Sequence, residues 1–262
     1  MENYAPYTVR ENRCYSEKNL KGYAIGATDG DIGKVADFYF DDESWTIRYL
    51  VAETGSWLQN RRMLISPFAL GEVDVSRERL YVMLTKKQVA DSPSIDTDRP
   101  VSRQHEASFL DYYSYPYYWD GPFLWGPMPY PRFSDADRKS DEKARAEREE
   151  ANDLHLRSVN KVTGYHIEAT DGDIGHVEDF IIDGETWEIR YMVAATQNWW
   201  PGKKVLVAPQ WIDRVSWDDS KVNVDLSRET IKNGPEYHPE ALDRTYEEVL
   251  YDHYKRPKYW ER

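Results

Sequence analysis

Cysteine is nearly absent, with Cys14 the one thiol in 262 residues. That excludes an intrachain disulfide and a cysteine-rich zinc site, and it fits a reducing compartment. Long apolar runs are missing as well. Nothing approaches the roughly 18 residues that a transmembrane helix needs, and Met1–Leu20 lacks the apolar core of a signal peptide. The expected location is therefore cytoplasmic, without membrane insertion. Positive charge is in deficit: 34 Lys and Arg stand against 47 Asp and Glu, for a formal net charge of −13. Phosphate backbones are held mainly by Lys and Arg, so this balance argues against a nucleic-acid partner. No P-loop, dinucleotide fingerprint or Gly-x-Ser-x-Gly elbow occurs, and no cofactor is expected.

Aromatic residues, by contrast, are abundant, with 20 Tyr and 10 Trp. Such rings suit cores and protein interfaces alike. Their distribution follows a repeat. The heptapeptide Ala-Thr-Asp-Gly-Asp-Ile-Gly occurs at Ala27–Gly33 and again at Ala169–Gly175, 142 positions on. At that offset Gly22–Pro93 aligns with Gly164–Pro235 without a gap, and roughly 40% of the positions are identical, the mark of an internal duplication. With one residue deleted, Arg103–Trp119 also lies over Arg244–Trp260. Each unit is thus a compact module with a shared tail. The boundaries are an extension over 1–19, module 1 over 20–93, tail 1 over 94–119, an aromatic and charged linker over 120–158, module 2 over 159–235 and tail 2 over 236–262.

Within a module the hydrophobic period is two. Trp45, Ile47, Tyr49 and Val51 alternate with Thr46, Arg48, Leu50 and Ala52, the pattern of a half-buried strand. Six short strands are expected per module, followed by one helical turn that Thr85 and Gln88 open with capping-box spacing. In tail 2, Leu242, Tyr246, Val249, Leu250, His253 and Tyr254 form one apolar helical stripe, and Pro239 suits a first turn. The linker Asp120–Phe133 is too rich in Pro and Gly for helix or sheet, and the segment after it is charged throughout.

The order Gly-Tyr-x-Ile, Thr-Asp-Gly-Asp-Ile-Gly-x-Val-x-Asp-Phe, Trp-x-Ile-Arg-Tyr-x-Val resembles the PRC-barrel family. It runs through Gly22–Ile25, Thr28–Phe38 and Trp45–Val51, and recurs at Gly164–Ile167, Thr170–Phe180 and Trp187–Val193. That family takes its name from the cytoplasmic domain of the photosynthetic reaction-centre H subunit. It also includes the C-terminal domain of a ribosome maturation factor. The resemblance implies a mainly β fold with two small, mostly antiparallel barrels that bind partner proteins rather than catalyse. The reaction-centre subunit carries a membrane helix ahead of its barrel, and no such helix is read before Gly22.

The shared heptapeptide has two readings, calcium loop or turn. An EF-hand loop needs a third oxygen ligand where Gly33 sits and a glutamate where Phe40 and Ile182 sit. Asp29, Gly30, Asp31 and Gly33, with Asp171, Gly172, Asp173 and Gly175, are therefore read as a structural hairpin turn. A four-residue loop at Asp41–Ser44 pairs Phe40 with Trp45. Counting back sets Asp37 opposite Arg48 and Asp179 opposite Arg190, as cross-strand ion pairs. His166 and His176 fall on opposite sheet faces, and no metal or catalytic cluster is read.

Trp45 and Trp187 are expected in the core. Trp57, Trp199 and Trp200 lie in a polar loop, as an exposed binding surface or as packing over the sheet end. Tyr118, Trp119, Tyr259 and Trp260 either fold back onto a module or form a docking peptide for another protein. The favoured function is a non-enzymatic adaptor or scaffold for a protein partner. An RNA- or ribosome-associated assembly factor, a reaction-centre-like role and an enzyme rank behind it. Self-association of the chain stands beside that protein partner as an expectation, and the two modules are expected to pack against each other as a pseudo-twofold pair.

Overall fold

The computed structural model describes residues 14–93, 101–132, 155–196 and 202–261. The first half contains β1 (Cys14–Ser16), α1 (Glu17–Leu20), β2 (Ala24–Ala27), β3 (Gly30–Asp41), β4 (Thr46–Thr54), β5 (Arg62–Ile65), β6 (Leu70–Asp74), β7 (Arg79–Val82), α2 (Lys86–Asp91) and α3 (Arg103–Tyr113). The second half repeats the series with β8 (Leu156–Ser158), α4 (Val159–Val162), β9 (His166–Ala169), β10 (Gly172–Asp183), β11 (Ile189–Ala195), β12 (Lys204–Val207), β13 (Ile212–Ser216), β14 (Lys221–Val224), α5 (Arg228–Lys232) and α6 (Arg244–Tyr254).

The protein is mainly β, with two seven-stranded mixed sheets. One runs β5-β4-β3-β2-β7-β6 and the other β12-β11-β10-β9-β14-β13, the same order in both units. In each sheet one pair is parallel, β2 with β7 and β9 with β14. The expected closed barrel is not formed, because the strand order ends at β5 and at β6 with no ladder between them. The 3-10 turn Pro67–Ala69 joins those two strands, and Pro67 cannot donate to a ladder.

The shared heptapeptide is spent on backbone geometry. Thr28 and Asp29 form the hairpin loop, since Ala27 pairs with Gly30. Gly30 takes φ +134°, a region that a side chain disfavours. The Asp29 carboxylate accepts from Lys86 N (2.7 Å) and so fixes the start of α2, and Asp171 does the same for Arg228 N (2.7 Å) at α5. Asp31 pairs with Arg79, while Asp173 lies 3.9 Å from His166. At Gly33 and Gly175 a Cβ would sit 2.0 Å from the Glu53 carbonyl and 1.9 Å from that of Ala195, so only glycine allows this approach. The expected capping box of Thr85 and Gln88 opens α2.

Bulges alter the expected register. Asp41 pairs with Thr46, so the β3–β4 loop begins one residue later than expected. A further slip between Tyr39 and Phe40 sets Asp37 opposite Val51, and another follows between Asp37 and Val35. The proposed Asp37–Arg48 and Asp179–Arg190 pairs are accordingly not formed. Arg48 instead binds Asp41 (3.1 Å), and Arg190 binds Asp183 (2.8 Å). A bulge between Asp173 and Gly175 likewise makes His166 and His176 direct cross-strand partners rather than residues of opposite faces.

Two strands lie outside the expected modules, and they join the halves. β1 pairs with β10 of the second sheet, and β8 pairs with β3 of the first. The registers correspond: Cys14 faces Asp183 as Leu156 faces Asp41. Ile47 N donates to Trp187 O (2.8 Å), and Ile189 N donates to Trp45 O (2.7 Å). Both tryptophans reach those positions through left-handed backbone, with φ of 53° and 60°. Trp187 is buried, whereas Trp45 is half-buried and stacked on Phe40. The halves therefore pack as a pseudo-twofold pair by reciprocal strand exchange.

Candidate functional site

The polar side chains that converge in each unit lie where the tail meets the sheet. In the first unit β4 carries Arg48 outward, and the linker and tail cover it. Its guanidinium donates to Asp41 and to Leu124 O (2.6 Å), and stacks 3.8 Å over Tyr118 and 4.9 Å over Trp125. Residues Thr46–Ala52 are consequently buried on both faces, not half-buried. Burial raises the Asp41 carboxyl, but Arg48 and the amides of Ser44 and Glu43 outweigh it and hold it below its usual range. Beneath this layer, Tyr118 donates to Glu106 of α3 (2.6 Å). His155 Nε2 lies 2.7 Å from the same hydroxyl and 3.1 Å from Glu106. Burial works against the charged imidazole, yet Glu106 prevails and raises its pKa.

The second unit repeats the clamp. Arg190 stacks 4.2 Å over Tyr259 and binds Asp183 and Glu188, the latter at 2.7 Å. Tyr259 and Tyr191 both donate to Glu247 of α6, at 3.0 and 2.7 Å. Trp260 lies under the Arg244 guanidinium (4.1 Å), as Trp119 lies under that of Arg103 (4.3 Å). The four tail aromatics Tyr118, Trp119, Tyr259 and Trp260 thus fold back in cis, each onto its own unit. In α6 the buried stripe runs through Glu247, Leu250, Tyr251 and Tyr254, while Val249, expected on it, is 55% exposed.

Trp57 is also fastened. Its Nε1 donates to Ile32 O (2.6 Å), and Lys86 Nζ lies 4.5 Å from its ring. Trp199 and Trp200 lie outside the described residues. Trp125 of the linker, given no role from the sequence, is fully buried; its Nε1 donates to Thr186 O (2.9 Å) and its ring meets Phe68 edge-on at 5.1 Å. A lone Trp flanked by glycine and prolines was the available signal.

The first network is buried at Arg48, Glu106 and His155, whereas the second is part-exposed at Arg244, Tyr259 and Trp260. Open surface of distinct character lies elsewhere. On the β9–β14–β13 sheet, Glu168, Thr170, Asp213, Asn223 and Asp225 line an acidic hollow of about 440 Å³. At the matching positions of the first unit stand Gly26, Thr28, Gly71, Tyr81 and Met83. Met83, Val75 and Tyr112 there are exposed, as are Phe123 and Tyr130 of the linker. Among the described residues no group of three or more His, Cys, Asp or Glu is placed to hold a metal ion, and no helix is long and apolar enough to cross a membrane.

Comparison with protein families matches residues 16–89 to the PRC-barrel domain. The matched span runs from the end of β1 to α2, the whole sheet of the first unit apart from the exchanged strand β8. The comparison with curated proteins found no match.

Proposed function

We propose that the chain is a non-enzymatic protein-binding adaptor built from two PRC-type units, the second unit being assigned by its repeat of the first. The PRC-barrel match over residues 16–89 fits a binding role. One observation carries the reading further: the converging polar groups of each unit are taken up by contacts within the chain, while the accessible hollow is acidic and lies on the β9–β14–β13 sheet. With a net charge of −13, a basic protein surface is the complementary partner.

The test is affinity capture by the tagged full chain beside an Asp213→Lys/Glu168→Gln variant of equal stability. A saturable protein ligand whose retention falls with salt and with the variant supports the adaptor reading. Retention of RNA instead, or of nothing saturable, overturns it.

A further inference from the structure

Glu17 is out of place. It occupies the first position of α1 at the seam between the halves, where it is only 4% exposed, and its Oε1 has no hydrogen-bond partner. The matching residue of α4 is Val159, fully buried. An apolar side chain therefore suits this position, and a carboxylate there loses its hydration without recovering a full set of bonds.

Its surroundings add negative charge rather than remove it. On β10, Asp179 accepts from Ser16 (2.6 Å) and from Lys18 N (3.0 Å), which ties α1 to the second sheet. On β3, Asp37 accepts from Ser158 (2.5 Å) and Asn160 N (3.1 Å), tying α4 to the first. The charged groups that act on the Glu17 carboxyl are Asp179, Asp37 and, from its own segment, Lys18 and Lys21. Lys21 is engaged with Asn160 and Lys18 with Glu178 (3.4 Å), so neither closes on the Glu17 carboxyl.

We propose that Glu17 is a proton-operated latch: the seam stays shut while its carboxyl is protonated, and β1 and α1 loosen from β10 when the proton leaves. Burial, then Asp179, pushes the carboxyl up from 4.5 to about 7, with Lys21 opposing, Asp37 adding and Lys18 opposing. The closed seam thus holds a proton that the open one releases. Closure is strongest at low pH, weakens as pH rises from about 4.5 to about 7, and is level above that. This inference is independent of the adaptor reading.

Hydrogen exchange on the full chain tests it. Protection factors, which divide out intrinsic exchange rates, are followed across β1 and α1 from pH 5 to 8.5. Protection is expected to fall by about tenfold per pH unit up to about pH 7 and then level off. Glu17→Gln and Glu17→Val are each expected to keep it high and flat across that range. The same slope in a folded variant overturns the latch. So does a flat wild-type profile, which decides the matter even if both variants fail to fold.

Discussion

Gly33 and Gly175 show how a single residue decides the sheet. β3 and β10 are each twelve residues long, and at Gly33 and Gly175 the backbone meets that of Glu53 or Ala195 with no room for a side chain. Gly33→Ala and Gly175→Ala are expected to destabilise the fold by about 3 kcal/mol each, because backbone rather than a movable side chain must shift. At Gly55 the nearest atom to an added Cβ is 3.9 Å away, and its φ of −71° suits any residue. Gly55→Ala should therefore stay within about 0.5 kcal/mol. Urea unfolding of the three variants checks the contrast, and equal losses would refute the close-approach account. The same scale explains why the repeated aspartates look like metal ligands. Asp29 and Asp171 are conscripted as acceptors for a helix start, a task that needs the same short carboxylate.

At the scale of elements, the amphipathic helices α3 and α6 belong to the sheets they follow. Tyr49 meets Phe109 edge-on at 5.3 Å, and Trp211 meets Tyr251 at 5.4 Å. Glu247 is the hub of the second tail, accepting from Tyr191 and Tyr259 and pairing with Arg244 at 2.9 Å. Glu247→Ala leaves those donors buried without their acceptor, at a cost of about 1–3 kcal/mol each where no water replaces it. Limited proteolysis is expected to cut that variant near Lys255–Trp260 well before the wild type, with the first tail unchanged. Unaltered cleavage at the C-terminal tail would show that apolar packing alone holds it.

At the scale of the whole molecule, the reciprocal seam makes the halves a single assembly. Each sheet borrows its seventh strand from the other half, so separating them would strip two ladders and the paired Trp45 and Trp187 carbonyl bonds together. A protease site introduced between Arg132 and His155 of the full chain allows cleavage after folding. The two fragments are expected to co-elute at the size of the intact protein without denaturant. Elution as two separate species would mean that the connection, not the seam, keeps the halves together.

Much of this architecture was legible along the chain, and the reason is locality. The two-residue period of the strands, the capping box at Thr85 and the helical tails depend on neighbours a few positions apart, and the duplication on identity of residues alone, so the order of residues determined them. Register was not legible, because bulges at Ala36, Arg48 and Ile174 are set by packing across strands. The Asp37–Arg48 pairing failed for that reason, and the true partner, Asp41, lay seven residues away across a turn. The exchange of β1 and β8 and the docking of the tail aromatics in cis belonged to the tertiary structure alone. A strand of three residues carries no periodicity to read, and an aromatic side chain has the same sequence signature whether it faces a core or a partner. Only the contacts made across the fold, such as that between Ser16 and Asp179, 163 positions apart, chose between them.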